Sequence, residues 1–177
     1  MVLKKKTITR VLFLATGLSL MLYIFSCIDD VYTSNLLSEI RNECKMIDAD
    51  TSLHITEKDT FGLSTEGGVL FLYHDETNIK KVVFEIYGEM GQKVNKYYFK
   101  QDKLIYFFER VLHYNEPIYL QQNFSVESEQ MNQLFFFNDQ LVQWIGKHDT
   151  KRESKIKPYE IVNYSKILLE LQFDDIE

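Results

Sequence analysis

The sequence has few of the residues that interrupt helices and strands or form disulfides, with 2 Pro, 7 Gly and 2 Cys among 177 residues. Scarce Pro and Gly favour packed strands and helices over extended linkers. Two cysteines are too few for the disulfide framework that holds many small secreted domains together. Because 45% of the residues are hydrophobic and 26% are charged, we expect one folded domain with a sizeable core.

The motifs of several enzyme classes are also missing. The chain has no GxSxG nucleophile elbow, no GxxxxGK[ST] phosphate loop and no dinucleotide-binding fingerprint. None of its four histidines stands at ligand spacing from another histidine or a cysteine, so we predict no zinc site and no cofactor. These histidines are His54, His74, His113 and His148.

Acidic residues outnumber basic residues outside the N-terminus. Residues 1–26 contain four basic residues and no acidic one, and the remainder carries 16 basic against 26 acidic residues, a net charge of −10. An acidic domain repels phosphate backbones, so we predict no nucleic-acid partner.

The N-terminus has a basic opening followed by VLFLATGLSLMLYIFS, which carries no charge. This order is typical of a segment that export machinery recognises. The stretch IFSC, which ends at Cys27, resembles the bacterial lipobox, and the resemblance implies cleavage after Ser26 and lipid attachment to the Cys27 thiol. We therefore predict a signal peptide over 1–26, a tether over 27–32 and a single α+β domain over 33–177. The lipid on Cys27 would anchor the protein to a bacterial membrane in the cell envelope, on the periplasmic or the surface face of the outer membrane.

Two other interpretations of this segment remain open. Residues 11–28 are 18 uncharged residues, just long enough to span a bilayer uncut. Alternatively, Cys27 is an ordinary apolar residue of a plain secretory signal. Asp29 and Asp30 resemble the surface-export signals of lipoproteins in some Gram-negative groups, or simply begin a solvated tether.

Apolar residues recur at three- and four-residue steps at both ends of the body, which predicts two helices. The first set is Leu37, Ile40, Cys44 and Ile47, and the second set is Ile161, Tyr164, Leu168 and Leu171. We expect Ser34 to cap the first helix and Pro158 to open the second. Cys44 lies on an apolar stripe and is predicted to be a buried structural thiol.

Between the helices the hydrophobic period changes to two, which is typical of strands. The six strand-like segments are VLFLYH, IKKVVFEIYG, VNKYYFK, KLIYFFERVL, QLFFFN and QLVQWIG. The breaks HDETN, GEMGQ, QD and ND read as hairpin turns, while 113–130 reads as irregular because Pro117 forbids a central strand. The predicted fold is α+β, an antiparallel β-meander of about six strands with an N-terminal and a C-terminal helix packed on one face.

Two of these hairpins look alike. Residues 95–109 and 132–146 align without a gap, with Asn, an aromatic pair, Asp and Leu in register. Two copies are too few for a solenoid, so we interpret them as one strand–turn–strand unit used twice in a single sheet.

Part of the body resembles a family of uncharacterised bacterial lipoproteins and periplasmic proteins. The resemblance covers about residues 62–146 and rests on these stretches: STEGG (64–68), YGEMG (87–91), YYF (97–99), Glu109 and YNEP (114–117). The family has no known activity to transfer, so the resemblance implies only fold and location.

Aromatic residues supply the main functional signal, with 11 Tyr and 13 Phe. If strand alternation holds, one sheet face is core and the other carries Tyr98, Tyr106 and Trp144 towards solvent. With Tyr114, and with Glu66 beside Gly67 and Gly68, these rings form our predicted ligand site. The sequence thus favours a protein without catalytic residues that binds an envelope protein or an envelope glycan.

Two alternatives come from other classes. An envelope polysaccharide hydrolase or lyase would use Glu66 and Glu109 as its two acids, although Glu66, Glu85, Glu89 and Glu109 also suit solvated strand faces and turns. A structural or assembly lipoprotein would dock through the edge of its sheet. Gly67 and Gly68 have a simpler explanation in a bulge or tight turn.

Overall fold

The structure is a computed structural model that describes residues 31–60, 66–120, 125–146 and 157–171. The predicted signal peptide, the lipidation of Cys27 and the role of Asp29 and Asp30 lie outside these residues. No helix within the described ranges combines the length and the hydrophobicity that crossing a membrane requires. The chain divides into two compact units, residues 1–39 and residues 40–177. In the first unit the described residues, 31–39, are helical, and the second unit contains the sheet.

The sheet has seven antiparallel strands, and each strand pairs with its neighbours in sequence, in the order β1 to β7. The strands are β1 His54–Asp59, β2 Gly68–His74, β3 Ile79–Gly88, β4 Gly91–Lys100, β5 Lys103–Tyr114, β6 Val126–Phe137 and β7 Gln140–Gly146. Helix α1 covers residues 31–49 and helix α2 covers Pro158–Leu169. The α+β class and the antiparallel meander are confirmed, with seven strands rather than six.

The extra strand is β1, whose sequence HITEKD is mostly polar and exposed. It lies at the edge of the sheet and buries only Thr56, so it lacks the apolar alternation that marks a half-buried strand. The irregular stretch is also shorter than predicted, because β5 runs to Tyr114 and β6 begins at Val126. Pro117 lies between them, outside any strand, before a 3-10 turn at Ile118–Leu120.

One face of the sheet, the α2 face, holds the hydrophobic core. Its most buried side chains expose at most 1% of their surface: Leu72, Val82, Phe99, Leu104, Leu134 and Phe136. Ile161, Val162 and Leu168 of α2 pack against them. Each such side chain contributes about 1.5–3 kcal/mol when it is fully buried, so this face supplies much of the free energy of folding.

Residues 40–49 of α1 pack against the opposite face, the α1 face. Asp48 of α1 accepts a hydrogen bond from the hydroxyl of Tyr98 at 3.1 Å, whereas Tyr164 of α2 contacts the ring of Tyr97, 6.0 Å between centroids. Successive residues of a strand point to opposite faces, so the predicted packing of both helices on one face is wrong. The central strands are apolar on both faces, as Tyr97-Tyr98-Phe99 shows, and each face therefore requires its own cover.

Both predicted helices exist. Leu37, Ile40, Cys44 and Ile47 are all buried, as their spacing predicted. Residues 31–33 are already helical, so Ser34 lies inside α1 and the prediction that it caps the helix is wrong.

Helix α2 begins at Pro158, as predicted, because proline lacks the N–H that a first helical position leaves unpaired. Its buried stripe includes Ile161 and Leu168 but is completed by Val162 and Ser165. Tyr164, predicted for this stripe, is 38% exposed.

The two similar hairpins are the same structural unit. Each turns through two residues with positive φ, Gln101 and Asp102 at 51° and 57°, and Asn138 and Asp139 at 49° and 63°, as tight type I′ turns require. Each unit also has a register shift at the matching place after its turn, which leaves one extra residue, Ile105 or Val142, and twists the hairpin.

Candidate functional site

An in-register row of side chains crosses the α1 face. Lys81, Tyr98, Tyr106 and Phe135 are direct cross-strand partners on β3, β4, β5 and β6. The ring centroids of Tyr98 and Tyr106 are 5.6 Å apart, and those of Tyr106 and Phe135 are 4.9 Å apart. Aromatic pairs at this separation stabilise a sheet beyond their buried area, so the row forms a rigid floor.

A second row stands two residues further along the same strands. It consists of Lys96, Phe108 and Gln133, again direct cross-strand partners. All three are partly exposed, whereas Tyr98 and Phe135 of the first row are buried. The floor therefore runs from a covered end to an open end.

Helix α1 forms the wall above this floor. Arg41, Cys44, Lys45 and Asp48 recur at three- and four-residue steps, which places them along one side of the helix. Together with most residues of the two rows they line a half-open cavity of about 300 Å³, which we call the α1 pocket. Its lining residues are Arg41, Cys44, Lys45, Asp48, Lys96, Tyr98, Tyr106, Phe108, Gln133 and Phe135.

Asp48 joins α1 to the first row of the floor. Its carboxylate accepts a hydrogen bond from Lys81 Nζ at 2.9 Å and from the Tyr98 hydroxyl, 3.1 Å from each oxygen. Burial and the negative charge of Asp48 hold the pKa of Tyr98 well above its ordinary value. The phenol therefore stays protonated and remains a donor to Asp48.

The other charged groups of the α1 pocket are cations. Arg41 lies over the ring of Phe135 at 4.9 Å, and Lys96 lies over the ring of Phe108 at 5.8 Å. Lys45 is exposed at the rim. The single carboxylate of the lining, Asp48, is already paired with Lys81, so the α1 pocket carries unbalanced positive charge.

Cys44 contributes an apolar surface rather than a reactive group. Burial, followed by the nearby carboxylates of Asp48 and Glu43, raises the pKa of its thiol to about 12. Because the thiolate is the nucleophilic form, Cys44 is inert near neutral pH, and the prediction of a buried structural thiol agrees with this geometry. Burial likewise raises the pKa of Tyr106 to about 12.

The structure brings together only part of the predicted ligand site. Tyr98 and Tyr106 line the α1 pocket, but Trp144 pairs with Leu134 on β6 and packs against the core of the α2 face. The expectation that these three rings share one solvent face is therefore wrong. Tyr114 is buried at the end of β5, and Glu66 is exposed in the turn before β2.

Glu109 lies in a buried polar network on the α2 face. One carboxylate oxygen pairs with Lys93 Nζ at 2.6 Å, and the other accepts from Asn132 Nδ2 at 3.0 Å. Trp144 Nε1 donates to the Oδ1 of the same Asn132 at 3.0 Å. These contacts tie β4, β5, β6 and β7 together, and they give Glu109 a structural role.

The two acids considered for polysaccharide cleavage are far apart. Glu66 precedes β2 and Glu109 lies on β5, so three strand intervals of about 4.8 Å separate the strands that carry them. Glu109 is also held by Lys93 and Asn132, and Glu66 is exposed. The structure does not bring these carboxylates into one cleft.

The glycine pair after Glu66 is explained by backbone geometry. Gly67 has a φ of 78°, in the left-handed region that favours glycine. A Cβ on Gly68 would lie 2.6 Å from the backbone oxygen of Glu85, so only glycine permits this approach of β2 to β3. The bulge-or-turn explanation of the pair therefore accounts for both residues.

Sequence reasoning missed the cations of the α1 pocket. Lys96 shares its strand face with Tyr98, a relation that period-two alternation already implied. Arg41 and Lys45 flank Cys44 on the helix, but their meeting with Lys96 depends on which sheet face α1 covers. Within the ranges that the structure describes, no cluster of His, Cys, Asp and Glu could hold a metal ion.

Two of the stretches that carry the family resemblance, YGEMG (87–91) and YNEP (114–117), meet at one end of the sheet. Residues 87–91 span the end of β3, its turn at Glu89 and Met90, and the start of β4, whereas residues 114–117 begin at the last residue of β5. The backbone N–H groups of Tyr114 and Ile118 donate to the carbonyl oxygens of Met90 and Glu89, at 2.9 and 3.0 Å. No protein-family model, no curated protein and no solved structure matches the chain.

Proposed function

We propose that this protein is a non-catalytic binding protein of the bacterial cell envelope, tethered by lipid on Cys27, and that the α1 pocket binds an envelope glycan. The observation that carries the proposal is the open end of the pocket, where the partly exposed rings of Tyr106 and Phe108 adjoin the amide of Gln133. A sugar needs an apolar surface for its ring face and polar groups for its hydroxyls.

The size and rigidity of the α1 pocket support this function. A cavity of about 300 Å³ is at the lower end of the range for small-molecule sites, which suits one or two sugar rings. The Asp48 contacts with Lys81 and Tyr98 hold the helix in place over the floor, so the site is formed before a ligand arrives. Pre-formed sites lose less conformational entropy on binding.

The chemistry of the lining favours binding over catalysis. Cys44 is the one cysteine of the lining, and burial keeps its thiol protonated. Asp48 is the one carboxylate of the lining and is engaged by Lys81 and Tyr98. Glycoside cleavage needs a second, facing carboxylate, which this lining does not contain.

The tether is tested by intact mass. We would compare the protein extracted from membranes with a Cys27→Ser variant, and treat whole cells with protease. Loss of residues 1–26 with added acyl mass supports the lipid anchor, and protease sensitivity then reports the membrane face. A mass equal to the uncut chain would instead make the apolar run a spanning helix.

Glycan binding is tested with a panel of envelope oligosaccharides and isothermal titration calorimetry. We expect Phe108→Ala to weaken binding about ten-fold, because the variant loses the stacking of the sugar on the ring and its apolar contact, which together contribute about 1–2 kcal/mol. Ile145→Ala is the matched control. Ile145 of β7 is the cross-strand partner of Gln133 and so extends the second row, but it does not line the pocket. Equal effects of the two variants, or no binding of any oligosaccharide of the panel, would refute the proposal.

A further inference from the structure

We infer that the α1 pocket selects an anionic ligand, a sugar that bears a carboxylate or phosphate group, over its neutral counterpart. The inference deepens the proposed function and rests on it for the sugar part of the ligand. Its own basis is the charge of the lining, which is independent of the aromatic floor.

The cations of the α1 pocket form no ion pair within the described residues, although Arg41 and Lys96 lie over aromatic rings. Eight lysine and arginine side chains in those residues form ion pairs: Lys80, Lys81, Lys93, Lys100, Lys103, Arg110, Lys157 and Lys166. Arg41, Lys45 and Lys96 form no ion pair with any described residue, and all three line the same cavity. Most cations of the described residues are thus paired, and these three converge on one site.

The surrounding domain makes this convergence more informative. Residues 27–177 carry a net charge of −10, so carboxylates that could pair with these cations are abundant in the chain. Three cations around one cavity repel one another, and an anion placed among them relieves the repulsion. Asp48 does not fill this role, because Lys81 and Tyr98 already engage it.

The geometry fits an anion attached to a ring. Arg41 and Lys45 project from the helix side and Lys96 from β4, so they approach the cavity from two sides. A sugar ring resting on Phe108 and Tyr106 would present an attached carboxylate or phosphate to this rim. Arginine binds such groups through two parallel hydrogen bonds. Because Arg41 already lies over the Phe135 ring, its side chain would lose less conformational entropy when an anion binds.

The test uses the full-length protein in detergent, with binding measured by calorimetry. The probes are tetragalacturonate, its fully methyl-esterified form and inorganic phosphate. The ester keeps the sugar rings and removes the charge, so it is the matched neutral ligand. We expect tetragalacturonate to bind at least ten-fold more tightly than the ester, and raising the salt concentration to weaken the charged ligand alone.

Variants assign the preference to the α1 pocket. Lys96→Gln is expected to reduce the affinity for tetragalacturonate about five- to ten-fold, and Lys96→Arg to restore it. Lys103→Gln is the control, since Lys103 is exposed and pairs with Asp139 outside the pocket. Far-UV circular dichroism verifies that each variant is folded.

The outcomes separate the two proposals. If the ester binds as tightly as the acid and only Phe108→Ala weakens both, the anion inference is overturned while glycan binding stands. If phosphate binds through Lys96 and neither sugar binds, the anion site stands and the proposed glycan function fails. If none of the three probes binds, both are overturned.

Discussion

Replacing Glu109 by alanine should destabilise the fold more than any surface charge substitution. Glu109 is 6% exposed, and its carboxylate is bound on one side by Lys93 and on the other by Asn132. Its removal leaves the Asn132 amide N–H without that acceptor in a buried position and separates Lys93 from its counter-ion. Both losses act on the folded state alone.

The magnitude follows from the exposure of the partners. Breaking a fully buried ion pair costs about 3–5 kcal/mol. The side chain of Lys93 is 40% exposed, so its ammonium can regain water and that cost is reduced. A lost hydrogen bond to a charged group contributes about 1.5–3 kcal/mol, and we therefore expect a decrease in the free energy of unfolding of about 2–3 kcal/mol. For a chain of this size the Tm would fall by about 6–9 °C.

The assay is urea unfolding followed by the fluorescence of Trp144, the only tryptophan in the sequence. Its indole N–H donates to Asn132, so the probe sits in the network under study. Glu129→Ala is the control, because Glu129 pairs with Arg110 where both side chains are over a third exposed, and such pairs contribute about 0–1 kcal/mol. If both variants lose the same free energy within about 0.5 kcal/mol, the usual range of surface substitutions, the structural role of Glu109 is refuted.

Four further predictions concern other parts of the fold. Gly146→Ala should cost about 1–3 kcal/mol in urea unfolding, because the added Cβ would collide with the side chain of Asn132. Gln101→Asn should raise stability by about 0.5–1 kcal/mol, since Gln101 has a φ of 51° and asparagine adopts this conformation more readily. The pKa of Tyr98 is higher in the folded protein than in the unfolded chain, so the free energy of unfolding should be constant below about pH 10 and decrease above it. Tyr98→Phe should flatten that decrease. Cys44 should resist thiol reagents at pH 8 until urea unfolds the chain, because the pKa of its thiol is about 12.

Each of these has a contradicting result. An unchanged urea midpoint for the glycine variant would mean that the neighbouring amide simply moves aside. Equal or lower stability of the Gln101 variant would show that turn conformation does not limit this hairpin. An alkaline decline that persists without the Tyr98 hydroxyl would assign it to other groups, and rapid labelling of Cys44 in the folded protein would contradict its burial.

Much of the fold follows from local sequence signals. Period-two alternation and the turn pairs QD and ND place six of the seven strands, because the side-chain period and the left-handed turn residues are local properties. The face that each helix covers is not local. The stripe Ile40, Cys44 and Ile47 predicts burial, yet it contains nothing that distinguishes one apolar sheet face from the other.

The site was predictable to a smaller extent. Alternation correctly placed Tyr98 and Tyr106 on one face. The gap-free alignment of the two hairpins already indicated that Trp144 belongs to the core. In that alignment Trp144 matches the core residue Phe107, not Tyr106. Arg41 and Lys96 are ordinary surface cations in sequence, and only the docking of α1 brings them to one cavity.

The strictly sequential order of the strands has a consequence for folding kinetics. Every strand pairs with its sequence neighbour, so each hairpin can close on its own, a step that takes about 1–10 μs in isolated hairpins. The helices depend on partners much farther along the chain, such as Asp48 with Tyr98, 50 positions apart. Contacts of this separation slow folding, so we expect the sheet to assemble first, from any hairpin outwards. The docking of α1, which completes the pocket, would then be a late step.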